Sequence, residues 1–184
     1  MKKKKQEIYF EIMLHNVRSV QNVASIFRLA DCIGASKIIL SGITPSYIDR
    51  FGRMREDFTR VSLSSEKNIK WEKIGIEPQN QDLESEVEKE NLKNTLKYIE
   101  NFKKENGIVL ALEQDKKSVN IKDFSKKINK KKKYLIIPGR EVEGLEKEIL
   151  KIVDHIVEIN QYGKKESLNI FSALSVALYT LFDK

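Results

Sequence analysis

The first forty residues leave few ways to fold. Glu7 to Leu14 alternates and then runs apolar, which reads as a strand ending at the polar turn His15-Asn16. Val20, Val23, Ala24, Phe27 and Ala30 then recur at helical spacing behind Ser19, a natural N-cap, and Gly34 just past Ile33 supplies a stop. Lys37 to Leu40 is a second short apolar run, closed by Ser41-Gly42. Strand, helix and strand at this spacing make a βαβ unit, and such a unit commits the chain to a parallel sheet.

The same alternation continues. Gly42 to Lys70 has little periodicity and holds Pro45, Gly52 and a group of arginines, so it is expected to be mostly loop with a working surface. Asp82 to Asn106 reads as an amphipathic surface helix with Leu92, Leu96 and Ile99 on one face. Gly107–Leu112, Tyr134–Ile137 and Asp154–Ile159 read as buried strands. Leu145 to Val153 is helical, and Ser167 to Phe182 closes the chain as a helix with Ile170, Leu174, Ala177 and Leu181 inward. The expected class is α/β, a parallel sheet with helices on both faces. No repeat or linker divides the chain, and residues 1–184 are expected to form one domain.

Composition narrows the setting. No apolar run approaches the roughly 20 residues needed to span a bilayer, so no membrane partner is expected. Glu7 and Glu11 interrupt what would otherwise imitate a signal peptide, and the lysine-rich start reads as a basic lead-in to the first strand. A single cysteine, Cys32, makes no intrachain disulfide, which fits a reducing compartment, the cytoplasm. The net charge of +7 favours a polyanionic partner, with nucleic acid first. Lysine far outnumbers arginine, so the distribution of arginine says more than the total. Four of the seven arginines, Arg50, Arg53, Arg55 and Arg60, share one segment with Tyr47, Phe51 and Phe58, a mixture suited to gripping phosphates and stacking on bases.

Several familiar sites are missing. No glycine-rich dinucleotide or nucleotide loop occurs, and His15, Cys32 and His155 lack metal-ligand spacing, so both histidines read as structural. Three polar islands remain: Asn16 to Arg28, Pro138 to Gly144, and Asn160 to Asn169. In an open α/β sheet ligands bind outside the carboxyl ends of the strands, where the last two islands fall. Taken singly, each has a plain structural reading. Ser167 serves as an N-cap, Asn169 is solvated, Glu141 sits in an acidic turn, and Arg28 is a surface charge. Asn22 and Arg28 stand six residues apart, about 120° around a helix of 3.6 residues per turn.

Taken in order, the islands resemble something specific. NVASIFRLADCIGASKIIL (Asn22 to Leu40), LIIPGREVEGL (Leu135 to Leu145) and ESLNIFSALSVAL (Glu166 to Leu178) are similar to the three motifs of the SpoU (TrmH-like) branch of the SPOUT RNA 2′-O-ribose methyltransferases. The resemblance extends over nearly the whole chain, except around Glu77 to Glu105. It implies an α/β trefoil knot, S-adenosylmethionine as cofactor, and a homodimer whose site uses both subunits. It puts the family's catalytic arginine at Arg28 and its partner asparagine at Asn22. Glu141, Ser167 and Asn169 match the family's other site residues, and cofactor contacts, largely through backbone, fall on Ile137, Pro138, Gly139, Ile159, Gly163 and Leu168. Arg140, Phe171, Ala24 and the Gln161-Tyr162 pair depart from the family's usual residues.

The activity so implied is methylation of ribose in tRNA or rRNA, with Arg50, Arg53, Arg55 and Arg60 as RNA contacts. No added N-terminal RNA-binding domain is expected, so recognition of the RNA is expected from the domain's own surface and its dimer partner. The alternative is a non-catalytic RNA-binding or assembly protein retaining the fold. The basic charge and the arginine-aromatic segment disfavour a small-molecule methyltransferase.

Overall fold

The structure is a computed structural model and describes residues 8–49, 51–76, 83–140 and 143–183. Seven strands form one sheet: β1 (Tyr9–His15), β2 (Lys37–Ser41), β3 (Trp71–Lys73), β4 (Gly107–Leu112), β5 (Val119–Asn120), β6 (Lys133–Pro138) and β7 (His155–Glu158). Their order is β3-β2-β1-β6-β4-β7-β5, and every neighbouring pair is parallel. β1 to β3 form one flank and β4, β5 and β7 the other, with β6 paired between β1 and β4.

Side chains of successive strand residues leave on opposite faces, so each strand feeds two cores. Phe10, Ile12 and Leu14 of β1 join Leu110, Leu112 and Ile136 under α1 (Val20–Ile33), α2 (Glu56–Ser62), α4 (Ile121–Ser125) and α6 (Ile170–Phe182). Met13, Ile39, Val109, Ala111, Leu135 and Ile137 pack on the other face under α3 (Glu84–Lys104) and α5 (Lys147–Ile152). Burying each such side chain contributes about 1.5–3 kcal/mol. The α/β class with both faces covered is therefore observed.

α1 has the predicted bounds because both ends are chemically marked. Ser19 Oγ accepts the Asn22 N–H at 3.2 Å, and Gly34, at φ 77°, donates its N–H to Ala30 O at 2.9 Å. The segment from Gly42 to Lys70 differs from the expected loop. It contains α2, a 3₁₀ turn at Ser65–Lys67 and a packed aromatic group, with Tyr47 and Phe27 each edge-on to Trp71, at 5.3 and 6.4 Å, and Phe27 to Phe58 at 5.3 Å. Phe58 is fully buried, so it is core and not a stacking surface.

The short elements β3, β5 and α4 are additions to the sequence reading. Pro138 continues the ladder: it pairs with Leu112, and Gly139 N donates to Leu112 O at 2.9 Å. α6 begins at Ile170 with Asn169 as its N-cap, so Ser167 lies ahead of the helix rather than capping it. Because all strands run one way, the segments after β1, β2, β4, β6 and β7 all leave from one edge of the sheet, and that edge carries the site.

Candidate active site

A cleft opens at the carboxyl edge where β4, β6 and β7 end. Leu112, Glu113 and Gln114 form one wall, Pro138, Gly139 and Arg140 a second, and Glu158, Ile159 and Gln161 a third, while Ser167, Leu168, Ile170 and Ala173 close it.

The walls are tied to one another. Glu113 Oε2 accepts the Leu145 N–H at 3.0 Å, and its Oε1 accepts the Gln114 N–H at 3.0 Å. Gln114 Nε2 donates to Glu166 O at 2.7 Å, joining the end of β4 to the segment that leads into α6. Glycine lets these segments touch without displacing the Glu113 carboxylate. A Cβ on Gly139 would stand 2.0 Å from Glu113 Oε2, and one on Gly144, itself at φ 65°, would stand 2.6 Å from the same atom.

Beside the cleft, the first and third polar islands meet. Asn169 Nδ2 donates to Asn22 Oδ1 at 3.1 Å, while Asn169 Oδ1 accepts the Phe171 N–H at 2.9 Å. One side chain thus caps α6 and holds the first turn of α1. Ser167, two residues earlier, lines the cleft. Pro138, Gly139, Ile159 and Leu168 also line it. Ile137, expected to contribute through its backbone, precedes the lining residue Pro138 and turns its side chain into the core under α3 and α5. Gly163 is exposed, has nothing within 4 Å of an added Cβ, and lies apart from the cleft lining.

Arg28 stands exposed on α1, and no hydrogen bond or ion pair joins it to the cleft among the described residues. Its 120° offset from Asn22 turns it away from the Asn22–Asn169 contact. Glu141 and Arg50 lie outside the described residues.

The arginine segment forms a small hairpin, bridged at Ile48 and Met54, with Gly52 at φ 78° in its turn. Asp49 organises it by accepting the Phe51 and Arg53 N–H groups at 2.8 and 2.9 Å and the Arg53 side chain at 3.0 Å. The Arg53 backbone bond leads the contacts that hold the Asp49 carboxyl below the usual carboxylate range. Phe51 is 66% exposed, with the Arg53 guanidinium 4.9 Å from its ring centroid. Arg60 is exposed on α2, whereas Arg55 is half-buried with its Nε enclosed and lacking a hydrogen-bond partner.

Sequence reasoning missed Glu113, Gln114 and Glu158 in the cleft, although their places at the ends of parallel strands were a usable signal. It also missed a buried polar network behind the second wall. Glu146, at the start of α5, meets Arg140 at 3.0 Å and His15 at 3.2 Å, and accepts from Asn16 at 3.2 Å. His15 is buried, and its Nδ1 meets Ser41 Oγ at 2.9 Å and Thr95 Oγ1 at 3.2 Å. Burial opposes ionisation of Glu146, but the His15 hydrogen bond and charge, and then Arg140, outweigh it and hold the carboxyl at about 2.

Comparison with known proteins bears on this arrangement. Residues 58–179 match the SpoU rRNA Methylase family. The tRNA (guanosine(18)-2′-O)-methyltransferase of Aquifex aeolicus is 24% identical over 168 residues, 91% of this chain and 66% of that enzyme. The AdoMet-bound rRNA methyltransferase of Sinorhizobium meliloti superposes with a TM-score of 0.69 at 25% identity, over 97% of this chain and 57% of that one. The A. aeolicus TrmH/SpoU tRNA modifying enzyme gives 0.70 at 21% identity, over 97% of this chain and 75% of that one. The chain thus spans just under two thirds of the first relative and little more than half of the second. With most of its length matched by the family model, and with the shared sheet behind the cleft, the chain belongs to the SpoU rRNA methylase family.

Proposed function

We propose that the chain is an S-adenosylmethionine-dependent RNA 2′-O-ribose methyltransferase acting on tRNA or rRNA. The observation that carries this reading is the Asn169–Asn22 contact beside a cleft walled by Pro138-Gly139, Ile159 and Ser167-Leu168. It joins residues 147 positions apart and puts polar groups suited to a ribose next to a pocket suited to a nucleoside.

The cleft's chemistry fits the cofactor. Glycine at 139 keeps the backbone open to close approach, Ile159, Leu168 and Ala173 offer apolar contact, and Glu113 and Glu158 give the lining an acidic character that suits a sulfonium cation. Arg140 also borders the cleft, but its charge is answered by Glu143 and Glu146. When bound, S-adenosylmethionine supplies an electrophilic methyl group. The chain's own part is to orient the acceptor: Asn22, Ser167 and Asn169 hold the ribose hydroxyls, and Arg28 clamps a backbone phosphate. A guanidinium stays protonated in any ordinary medium, so Arg28 acts as a fixed positive charge rather than a base.

A homodimer belongs to the proposal. α6 exposes Val176 and Tyr179 at 45% and 48%, and a second copy would cover them. Arg28 faces outward on α1, so the partner's cleft is the natural place for it to act. Arg53 of the hairpin and Arg60 of α2, with Phe51, are the proposed RNA surface. Pairing of β6 between β1 and β4 supports the trefoil path of the family, and the single sheet supports one domain. No helix among the described residues is long and apolar enough to cross a membrane, and a cytoplasmic setting is proposed from the lone free Cys32.

Isothermal titration with S-adenosylmethionine tests the reading against the rival of a non-catalytic RNA-binding protein. Saturable one-to-one binding per subunit is expected. A wild-type chain that takes up no cofactor would leave the rival in possession.

A further inference from the structure

Glu146 breaks a local rule. It is the N-cap residue of α5, a place favouring Ser, Thr, Asp or Asn, and its side chain makes no capping bond. The carboxylate turns back instead, toward Arg140 and β1. Arg140 answers it with one contact, Nη2 to Glu146 Oε1 at 3.0 Å, and makes two more within the same turn, Nη1 to Glu143 Oε2 at 2.9 Å and Nε to Gly144 O at 3.0 Å. The guanidinium therefore closes the turn that follows β6, while Gly139 and Arg140 at its start form a wall of the cleft.

The far end of this pair is fixed just as firmly. Asn16 Nδ2 donates to Glu146 Oε1, and Asn16 Oδ1 accepts the Ile43 N–H at 3.1 Å. Asn16 holds a left-handed φ of 56°, a conformation asparagine tolerates better than most residues. His15 meets Glu146 Oε2 and is itself held by Ser41 and Thr95. One chain of polar contacts thus runs from the cleft wall, through Arg140 and Glu146, to the ends of β1 and β2. β1 leads directly into α1, which carries Asn22.

We propose that Arg140 and Glu146 are a pair of positioning residues that lock the turn after β6 against the end of β1, so that the cofactor wall is held in register with α1. This rests on the function proposed above. Charges set apart from bulk water and joined by several directed bonds fix a geometry better than they stabilise a fold, and a loop wall must be placed to within a fraction of an ångström to bind well.

The test is a mutant cycle read by calorimetric titration of S-adenosylmethionine, with thermal unfolding alongside. Arg140→Gln and Glu146→Gln should each raise the cofactor Kd about tenfold, and the double variant should raise it no further than either single one, because both remove the same link. Glu146→Ser should keep the melting temperature within a few degrees by restoring a capping hydroxyl, yet weaken cofactor binding as Glu146→Gln does. Glu143→Gln, at the exposed end of the Arg140 contacts, should leave Kd unchanged. Single variants binding within twofold of wild type, or a double variant weakened by the product of the two singles, would overturn the pairing. Wild-type protein that binds no cofactor overturns the proposed function and this inference together, whereas wild-type binding with unaffected variants overturns this inference alone.

Discussion

Asn169 Nδ2 lies 3.1 Å from Asn22 Oδ1, and through that bond the cap of the last helix becomes a support for the first. The two roles of Asn169 separate cleanly by substitution. Asn169→Asp keeps an oxygen for the Phe171 N–H but loses the donor to Asn22. We expect stability to stay within about 0.5 kcal/mol while methyl transfer falls at least about tenfold. Asn169→Ala also loses the cap and should cost about 1 kcal/mol in chemical denaturation.

Arg28 makes the sharpest separation between binding and turnover. It is exposed, so Arg28→Ala should change folding stability by no more than about 0.5 kcal/mol and leave cofactor affinity unchanged. Turnover should be nearly abolished. Turnover near wild type would remove Arg28 from the mechanism.

The glycines facing Glu113 predict a graded series. Gly139→Ala puts a methyl group into the Glu113 carboxylate without a φ penalty, and Gly144→Ala adds the strain of φ 65° to a similar clash. Both should weaken cofactor binding, with Gly144→Ala also losing about 1–3 kcal/mol of stability. Gly52→Ala, at φ 78° in open space, bears strain alone and should leave cofactor binding untouched. Titration and urea unfolding of the three variants check the order.

Acid should expose the Glu146 contribution. Its carboxyl is lowered from 4.5 to about 2, so the folded state favours the charged form. The resulting stability is complete above about pH 4.5 and is lost as pH falls toward 2. The stability difference between wild type and Glu146→Gln, measured by urea unfolding, should shrink steadily as pH falls from about 5 toward 2. A difference that grows on acidification would contradict the assignment.

The arginine segment makes an ionic-strength prediction. If Arg53 and Arg60 each meet a phosphate, Arg→Gln at either should flatten the salt dependence of RNA binding by about 0.7–0.9 in log–log slope. Phe51→Ala should weaken binding to single-stranded RNA by about 1–3 kcal/mol with the slope unchanged. Fluorescence anisotropy with a labelled oligoribonucleotide across a salt series reads both.

Much of this molecule could be read from its residues, for reasons that differ along the chain. α1 and β4 were legible to the residue because apolar period and terminal signals agree, Ser19 and Gly34 for the helix and Gly107 for the strand. α2 was not. It is short, begins at Arg55 without a side-chain cap, and follows a turn rich in breakers, so tertiary packing of Phe58 under α1 decides it. At the start of α6, Ser167 and Asn169 are both competent caps, and sequence alone does not choose between them. The Asn16–Glu146 bond spans 130 positions, and the network through Arg140 leaves no periodic trace. The motif resemblance named Asn22, Ser167 and Asn169 together; the meeting of Asn22 with Asn169 needed the folded sheet.

The most direct measurement of the central claim is in vitro methylation of unmodified RNA with isotopically labelled S-adenosylmethionine, followed by complete nuclease digestion and mass spectrometry of the nucleosides. The account predicts label in a 2′-O-methylnucleoside, and none when Arg28→Ala replaces the wild type. Label appearing only on a base, or no label from a chain that binds both cofactor and RNA, would contradict it.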